Sequence, residues 1–267
     1  MENKTTQKWL LMTFPIAALL AIAAGGGLFI EDLYRDTPSF VAQAVAQDFV
    51  TLLVGLPALV ISAILATRGS KRAYLIWLGV LVYLIYTYAV AAFNVRFNSM
   101  FVVYVALLGC SLYSLIGGIT TADLKGIKAS FSEKTPTKAI SNYLVILAVL
   151  FYFLWLSEIV PALLTGEIPQ TVKDAVTPTN AIHVLDMAWI LPAMVLTAIW
   201  LRRKQDIGYT SAGALLTYVS LVILAIISMV VYMIRGGHPV VIGQIVIFGV
   251  LLIINSGMSI WYLQELR

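Results

Sequence analysis

Eight long apolar runs decide what this chain can become: Trp9–Ile30, Phe49–Ala66, Ala73–Phe93, Met100–Ile119, Ile140–Leu164, Asn180–Leu201, Ser211–Ile234 and Val240–Leu263. Each is long enough to cross the hydrocarbon of a bilayer, which takes roughly 20 residues as a helix. Backbone hydrogen bonding in lipid permits only helices or closed barrels, and these runs lack the period-two alternation of barrel strands. The expected fold is therefore all-α, a polytopic integral membrane protein of eight transmembrane helices forming one membrane domain over 1–267. Composition agrees. Only 11% of residues are charged and 61% are hydrophobic, whereas a water-facing surface calls for roughly 25% charged.

The loops give an orientation. With the N-terminus in the cytoplasm, Lys4, Lys8, Arg68, Lys71, Arg72, Lys125, Lys128, Lys134, Lys138, Arg202, Arg203, Lys204 and Arg267 fall inside, and only Arg35, Arg96, Lys173 and Arg235 outside. The bias alternates at every loop, so both termini are expected in the cytoplasm of a cell (cytoplasmic) membrane. Acidic residues lean outward: Glu31, Asp32, Asp36, Asp48, Glu158, Glu167, Asp174 and Asp186, against Glu2, Asp123, Glu133, Asp206 and Glu265 inside. The first run is too long for the core of a signal peptide and lacks a cleavage site, so it reads as a retained helix. The longest cytoplasmic loop, Thr120 to Lys138, is basic and is expected to lie on anionic headgroups.

Leu56-Pro57-Ala58-Leu59-Val60-Ile61-Ser62-Ala63-Ile64 matches Leu191-Pro192-Ala193-Met194-Val195-Leu196-Thr197-Ala198-Ile199, with six of nine positions identical. At the same offset of 135, Tyr74 meets Tyr209, Leu81 meets Leu216 and Tyr83 meets Tyr218. Two parallel four-helix repeats are expected, 9–119 and 140–263, related by an axis along the membrane normal, as in some transporters. Chance similarity of apolar helices is the alternative. Pro57 and Pro192 each remove a helical hydrogen bond and should free the carbonyls of Leu53 and Ala188. Thr37-Pro38 and Thr177-Pro178 both look like a cap and first position of a helix.

Ionisable groups inside a membrane are costly and mark function or pairing. Asp186 stands about 21 Å up its helix from Trp200 at 1.5 Å per residue, with His183 one turn above it. Asp48 and Glu158 reach similar heights, and Gln43, Gln47 and Thr51 form a stripe. One outward-facing site is expected from Asp48, Glu158, His183 and Asp186 with Gln47. Asn94, Arg96, Asn98, Arg235 and His238 stand nearby in the loops. Tyr83 and Tyr86 lie deep enough to need hydroxyl partners, and Tyr74 and Tyr88 fit the interfacial belt. Gly25-Gly26-Gly27 allows a close approach or a break, and Gln244 and Asn255 read as glue between helices.

Such a site suits binding or transport of a small molecule or ion taken from the outer side. A divalent metal held by His183 and Asp186 would instead support a membrane-embedded enzyme acting on a lipid-like substrate. The third reading is an accessory subunit whose apolar faces pair with a membrane protein partner or a second copy. Whether the chain is an enzyme stays open, with the balance against it. No lysine lies mid-span for a retinal Schiff base, and no nucleotide-binding motif is present. The net charge of +4 sits in loops, so the partner is the lipid bilayer and not a nucleic acid. Cys110 is the single cysteine.

Overall fold

The computed structural model describes residues 4–241 and 243–266. The charges of Glu2 and Arg267, and the side chain of Lys4, lie outside the described residues. Eight helices are long and apolar enough to cross a membrane: α1 Thr6–Phe29, α2 Pro38–Thr67, α3 Lys71–Asn94, α4 Phe101–Thr121, α5 Thr137–Thr165, α6 Ala181–Arg202, α7 Asp206–Arg235 and α8 Gly243–Gln264. The chain is an all-helical, multi-pass membrane protein. Its large exposed side chains are those that lipid accepts, among them Phe153, Leu163, Val246 and Ile253. Two ends of the bundle can be told apart by charge. The acidic end carries the loops around residues 31–37, 95–100, 166–180 and 236–241; the basic end carries the others.

Helices α3 and α7 pack against each other at the centre, flanked by α2 and α6, each of which touches both. Helix α4 packs on α3 and α8 on α7. The close approach at the centre depends on Gly79: a Cβ there would collide with the Ala214 carbonyl oxygen and with Thr217. Small residues at such crossings let helix backbones approach in lipid, where packing replaces the hydrophobic effect. Ala214 stands 135 residues after Gly79, so the closest contact joins positions that the sequence match also equates. Gly117 likewise makes room for the Trp9 ring between α4 and α1.

Each pairing in the first half has a counterpart in the second, with one exception. Helix α1 packs along both α2 and α4. Its counterpart α5 packs along α6, but it meets α8 chiefly through the hydrogen bond from Tyr143 Oη to Asn255 Oδ1, at 3.0 Å. Asn255 also donates to Leu216 O and Ser220 Oγ, the gluing role expected of it. Helices α5 and α8 are consequently the least buried spans.

Two local expectations are corrected and a third holds. Tyr74 and Tyr88 do not form an interfacial belt: both are buried, and Tyr74 donates to Gly118 O at 2.6 Å. Tyr74 reaches α4 through its hydroxyl and Tyr88 through its ring, which lies against Tyr104, because α3 is enclosed by its neighbours. Pro178 does not open α6. Asn180 caps it instead, accepting from the Ile182 N–H at 2.9 Å, as a short polar side chain does at a helix start. Thr37 does precede α2, with Pro38 in its first turn.

The loop after α4 folds back onto the bundle. Its short helix Leu124–Ala129 packs on α7, Lys128 pairs with Asp206 at 2.9 Å, and Lys71 donates to Gly126 O at 2.8 Å. Phe131 stacks between Tyr209 and Tyr262, and Arg72 holds the Leu266 carbonyl at 2.7 Å.

Gly79→Ala should destabilise the protein by about 1–3 kcal/mol, the usual cost of overpacking. Gly109→Ala, where an added Cβ meets open space, should be neutral or stabilising by up to about 1 kcal/mol. Thermal unfolding in detergent of both variants checks the contrast.

Candidate functional site

Both proline-bearing helices change register at the same place. Helix α2 makes a π turn at Thr51–Gly55 and α6 one at Asp186–Ile190, each ending one residue before Leu-Pro. In both, the residue after the turn donates its N–H five back, Leu56 to Thr51 O and Leu191 to Asp186 O. The π turn moves the unbonded carbonyl. Counting five back from Pro192 gives Met187 and not Ala188, and Met187 O accepts the Tyr152 hydroxyl at 2.9 Å. Single π turns within helices are frequent at functional positions. Here the first residue of each turn, Thr51 or Asp186, turns a polar side chain toward the centre of the bundle.

The second-half cluster gathers Glu158, His183 and Asp186 around Trp155. Asp186 is buried, and its Oδ2 accepts from Trp155 Nε1 at 2.8 Å. The Tyr86 hydroxyl faces the same carboxylate. The Trp155 ring lies against the His183 ring, with centroids 4.6 Å apart. His183 is 5% exposed and its Nε2 has no hydrogen-bond partner. Glu158 Oε2 stands 3.8 Å from that nitrogen, an ion-pair separation and too long for a hydrogen bond. The Glu158 carboxylate itself accepts from the Thr171 N–H at 2.8 Å and the Thr171 hydroxyl at 3.2 Å, tying the short helix Gln170–Ala175 to α5.

Asp48 belongs to a separate cluster built by the first half. Its carboxylate accepts the Tyr34 hydroxyl from the α1–α2 loop and lies where any side chain at Gly27 would sit. Gly25-Gly26-Gly27 thus serves a close approach, and α1 runs through it unbroken. Burial pushes the Tyr34 hydroxyl far above its ordinary pKa, and the adjacent Asp48 adds to this, so Tyr34 stays a protonated donor. The Tyr88 and Tyr104 rings lie nearby, tilted by 30° with centroids 6.0 Å apart. Tyr88 Oη, Tyr104 Oη and Asn98 Nδ2 are buried with no hydrogen-bond partner. A buried donor without a partner costs about 1–3 kcal/mol.

A polar seam runs between the clusters along α3 and α7. Gln47 Nε2 donates to Tyr83 Oη at 2.6 Å and to Thr87 Oγ1 at 3.2 Å, and Thr51 Oγ1 lies 2.8 Å from Tyr83 Oη. The Tyr218 ring meets Tyr86 edge-on at 5.7 Å. The single site expected from Asp48, Glu158, His183 and Asp186 is thus two sites, because Asp48 faces α1 and α4 while the other three face the α5–α6 seam. Among the loop residues, Asn94 Oδ1 accepts from the Ala181 N–H at 3.4 Å. Arg96 binds the Asp36 carboxylate through its N–H, at 3.1 Å, and Arg35 O through its guanidinium, at 3.0 Å. Burial nevertheless raises the Asp36 carboxyl above its usual pKa. At the exposed rim Lys173 pairs with Glu167 and holds it below the usual carboxylate value.

Trp155 bridges His183 and Asp186, its ring lying against one and its indole N–H donating to the other. Among the described residues no group of three or more His, Cys, Asp or Glu side chains is arranged to hold a metal ion. Sequence reasoning did not single out Tyr34, Tyr104 or Trp155. For Trp155 a signal was present: it stands three residues before Glu158, on the same helix face.

Comparison with protein-family models, with curated proteins and with solved structures returns no match for this chain.

Tyr34→Phe leaves Asp48 buried without its donor and should cost about 1–3 kcal/mol. Tyr113→Phe, on an exposed face of α4, should stay within about 0.5 kcal/mol. Parallel detergent melts of the two variants measure the difference.

Proposed function

We propose that the protein moves a small cation, a proton included, or a cationic small molecule across the membrane, using Asp48 and Asp186 as its binding groups. One observation carries the reading. Two carboxylates are buried within spans, and among the described residues each has a neutral donor as its side-chain hydrogen-bond partner: Asp48 has Tyr34 and Asp186 has Trp155. Among the described residues neither has a Lys, Arg or His within ion-pair distance. An ionised carboxylate at such depth is expensive without a compensating charge. Each group must therefore take up a proton or pair with a cation that arrives from outside the protein. His183, whose Nε2 is buried without a hydrogen-bond partner 3.8 Å from Glu158, adds a further polar group beside Asp186.

The two-repeat reading supports this mechanism. The matched π turns, the Gly79–Ala214 contact and the paired helix neighbours are what a pseudo-twofold axis between α3 and α7 would produce. Rocking of the α5–α6 side against the rest would then expose Asp186, in the manner of transporters built from parallel repeats. The acidic end is assigned to the outside of the cytoplasmic membrane, both termini being inside, from the loop charges.

The test is reconstitution into liposomes loaded with a pH-sensitive dye, with imposed proton, sodium or potassium gradients. Flux above that of empty liposomes is expected for the wild type, with at least a tenfold loss in Asp186→Asn and Asp48→Asn. Gel filtration establishes that the variants are folded. Equal flux in wild type and both variants refutes the reading. A cysteine introduced at Lys128 should resist an impermeant thiol reagent in intact cells and react after lysis; labelling in intact cells would invert the assignment.

A second reading is favoured by α5 and α8, which bury the least surface of the eight spans. Their apolar faces suit contact with another membrane protein, making this chain a subunit. A stoichiometric partner retained through purification in mild detergent would favour it.

A further inference from the structure

A groove runs between α5 and α6 at the basic end, away from both carboxylate clusters. Val145, Ile146, Ala198 and Ile199 wall it, Asn142 and Arg202 close its end, and its volume is about 390 Å³. That lies within the roughly 300–1,000 Å³ of ligand clefts. The Arg202 guanidinium donates to Asn142 Oδ1 across the groove. An amide oxygen satisfies one of the five guanidinium N–H donors and leaves the charge standing. Among the described residues no carboxylate lies within ion-pair distance of Arg202. Arg203 and Lys204 follow it, and Lys138 stands four residues before Asn142 on the same face of α5; all three are exposed.

We propose that this groove binds one anionic phospholipid from the leaflet at the basic end. The phosphate sits on Arg202 and Lys138, and one acyl chain lies along Val145, Ile146 and Ile199. The layout decides the occupant. An apolar trough ended by an unneutralised cation matches an amphiphile of opposite design, and basic pockets between spans hold anionic headgroups. A zwitterionic lipid brings its own cation toward Arg203 and Lys204 and is disfavoured. A free phosphate leaves the trough empty. Asn142 fixes the guanidinium in place before the lipid arrives, which lowers the ordering cost of binding. The site does not depend on the transport reading.

Native mass spectrometry of the whole protein in detergent, offered phosphatidylglycerol and phosphatidylcholine with the same acyl chains, tests the site. At least fivefold preferential retention of phosphatidylglycerol is expected. Arg202→Gln should abolish the preference, Ile199→Trp should lower retention severalfold by filling the trough, and Arg203→Gln should keep at least half of it. Excess glycerol 3-phosphate should not displace the lipid. Equal retention of the two lipids by the wild type, an unchanged preference in Arg202→Gln, or displacement by glycerol 3-phosphate would overturn the proposal. If Arg202→Gln does not fold, Asn142→Ala serves instead: it keeps the charge but frees the side chain. It should lower retention severalfold, and unchanged retention would equally refute the site.

Discussion

Lipid gives two apolar helices no hydrophobic reason to leave it, so a membrane bundle holds together where backbones approach closely and where polar groups find one another. In this protein the first condition is met at the crossing of α3 and α7. Gly79 lets the Ala214 carbonyl come where a side chain would otherwise be, and every other span packs, directly or through one neighbour, on that pair. Tyr74, Trp77, Tyr83 and Leu81 are fully enclosed because of it. The second condition is met by hydroxyls and amides with partners on neighbouring spans, such as Trp77 on Thr13 at 2.9 Å and Tyr262 on Tyr209 O at 2.8 Å.

The carboxylates depend on the same geometry. Asp48 is accommodated because Gly27 has no side chain, and Asp186 because a π turn swings the start of its turn toward α3 and α5. Among the described residues neither has a basic side chain within ion-pair distance, although the chain carries 17 lysines and arginines. Those charges are spent on topology and on tying loops at the basic end, as Lys128 with Asp206 and Arg72 with Leu266 show. A bundle selected only for packing would gain by replacing both carboxylates with apolar residues of similar volume. Their presence among neutral donors is what the proposed cation-binding role would require.

How much of this was legible beforehand follows from what each signal measures. Apolar run length reports hydrocarbon thickness, so eight spans could be counted directly. Their ends could not: α2 begins at Pro38 although its apolar run begins at Phe49, because Gln43, Gln47 and Asp48 face protein and lower the local hydropathy. The depth of Asp48, Glu158, His183 and Asp186 was readable from residue counts, but depth is one coordinate. Rotation about each helix axis sets which neighbours meet, and apolar spans look alike from every side. That is why Asp48 separated from the others, and why Tyr88 proved to be a core residue and not a belt residue. Trp155 was visible as an aromatic near a span end, where an interfacial anchor has the same signature as a donor to a buried acid.

The departure from symmetry bears on which half would move. Helix α1 is held by both α2 and α4, with Trp9 seated on Gly117 and Thr6 bonded to Thr121 O at 2.8 Å. Helix α5 has α6 along its length but meets α8 chiefly through the Tyr143 hydroxyl on Asn255. The Asp186 cluster is closed by α5 through Trp155, Tyr152 and Glu158. Opening it therefore requires parting one seam, fastened by the Trp155–Asp186, Tyr152–Met187 and Arg202–Asn142 bonds, each worth roughly 0.5–1.5 kcal/mol, or up to about 3 where a charged group takes part. Opening the Asp48 cluster requires breaking α1 away from two helices at once. If the protein moves a cation as proposed, the first half would be the fixed frame, and α5 the element on which access to Asp186 turns.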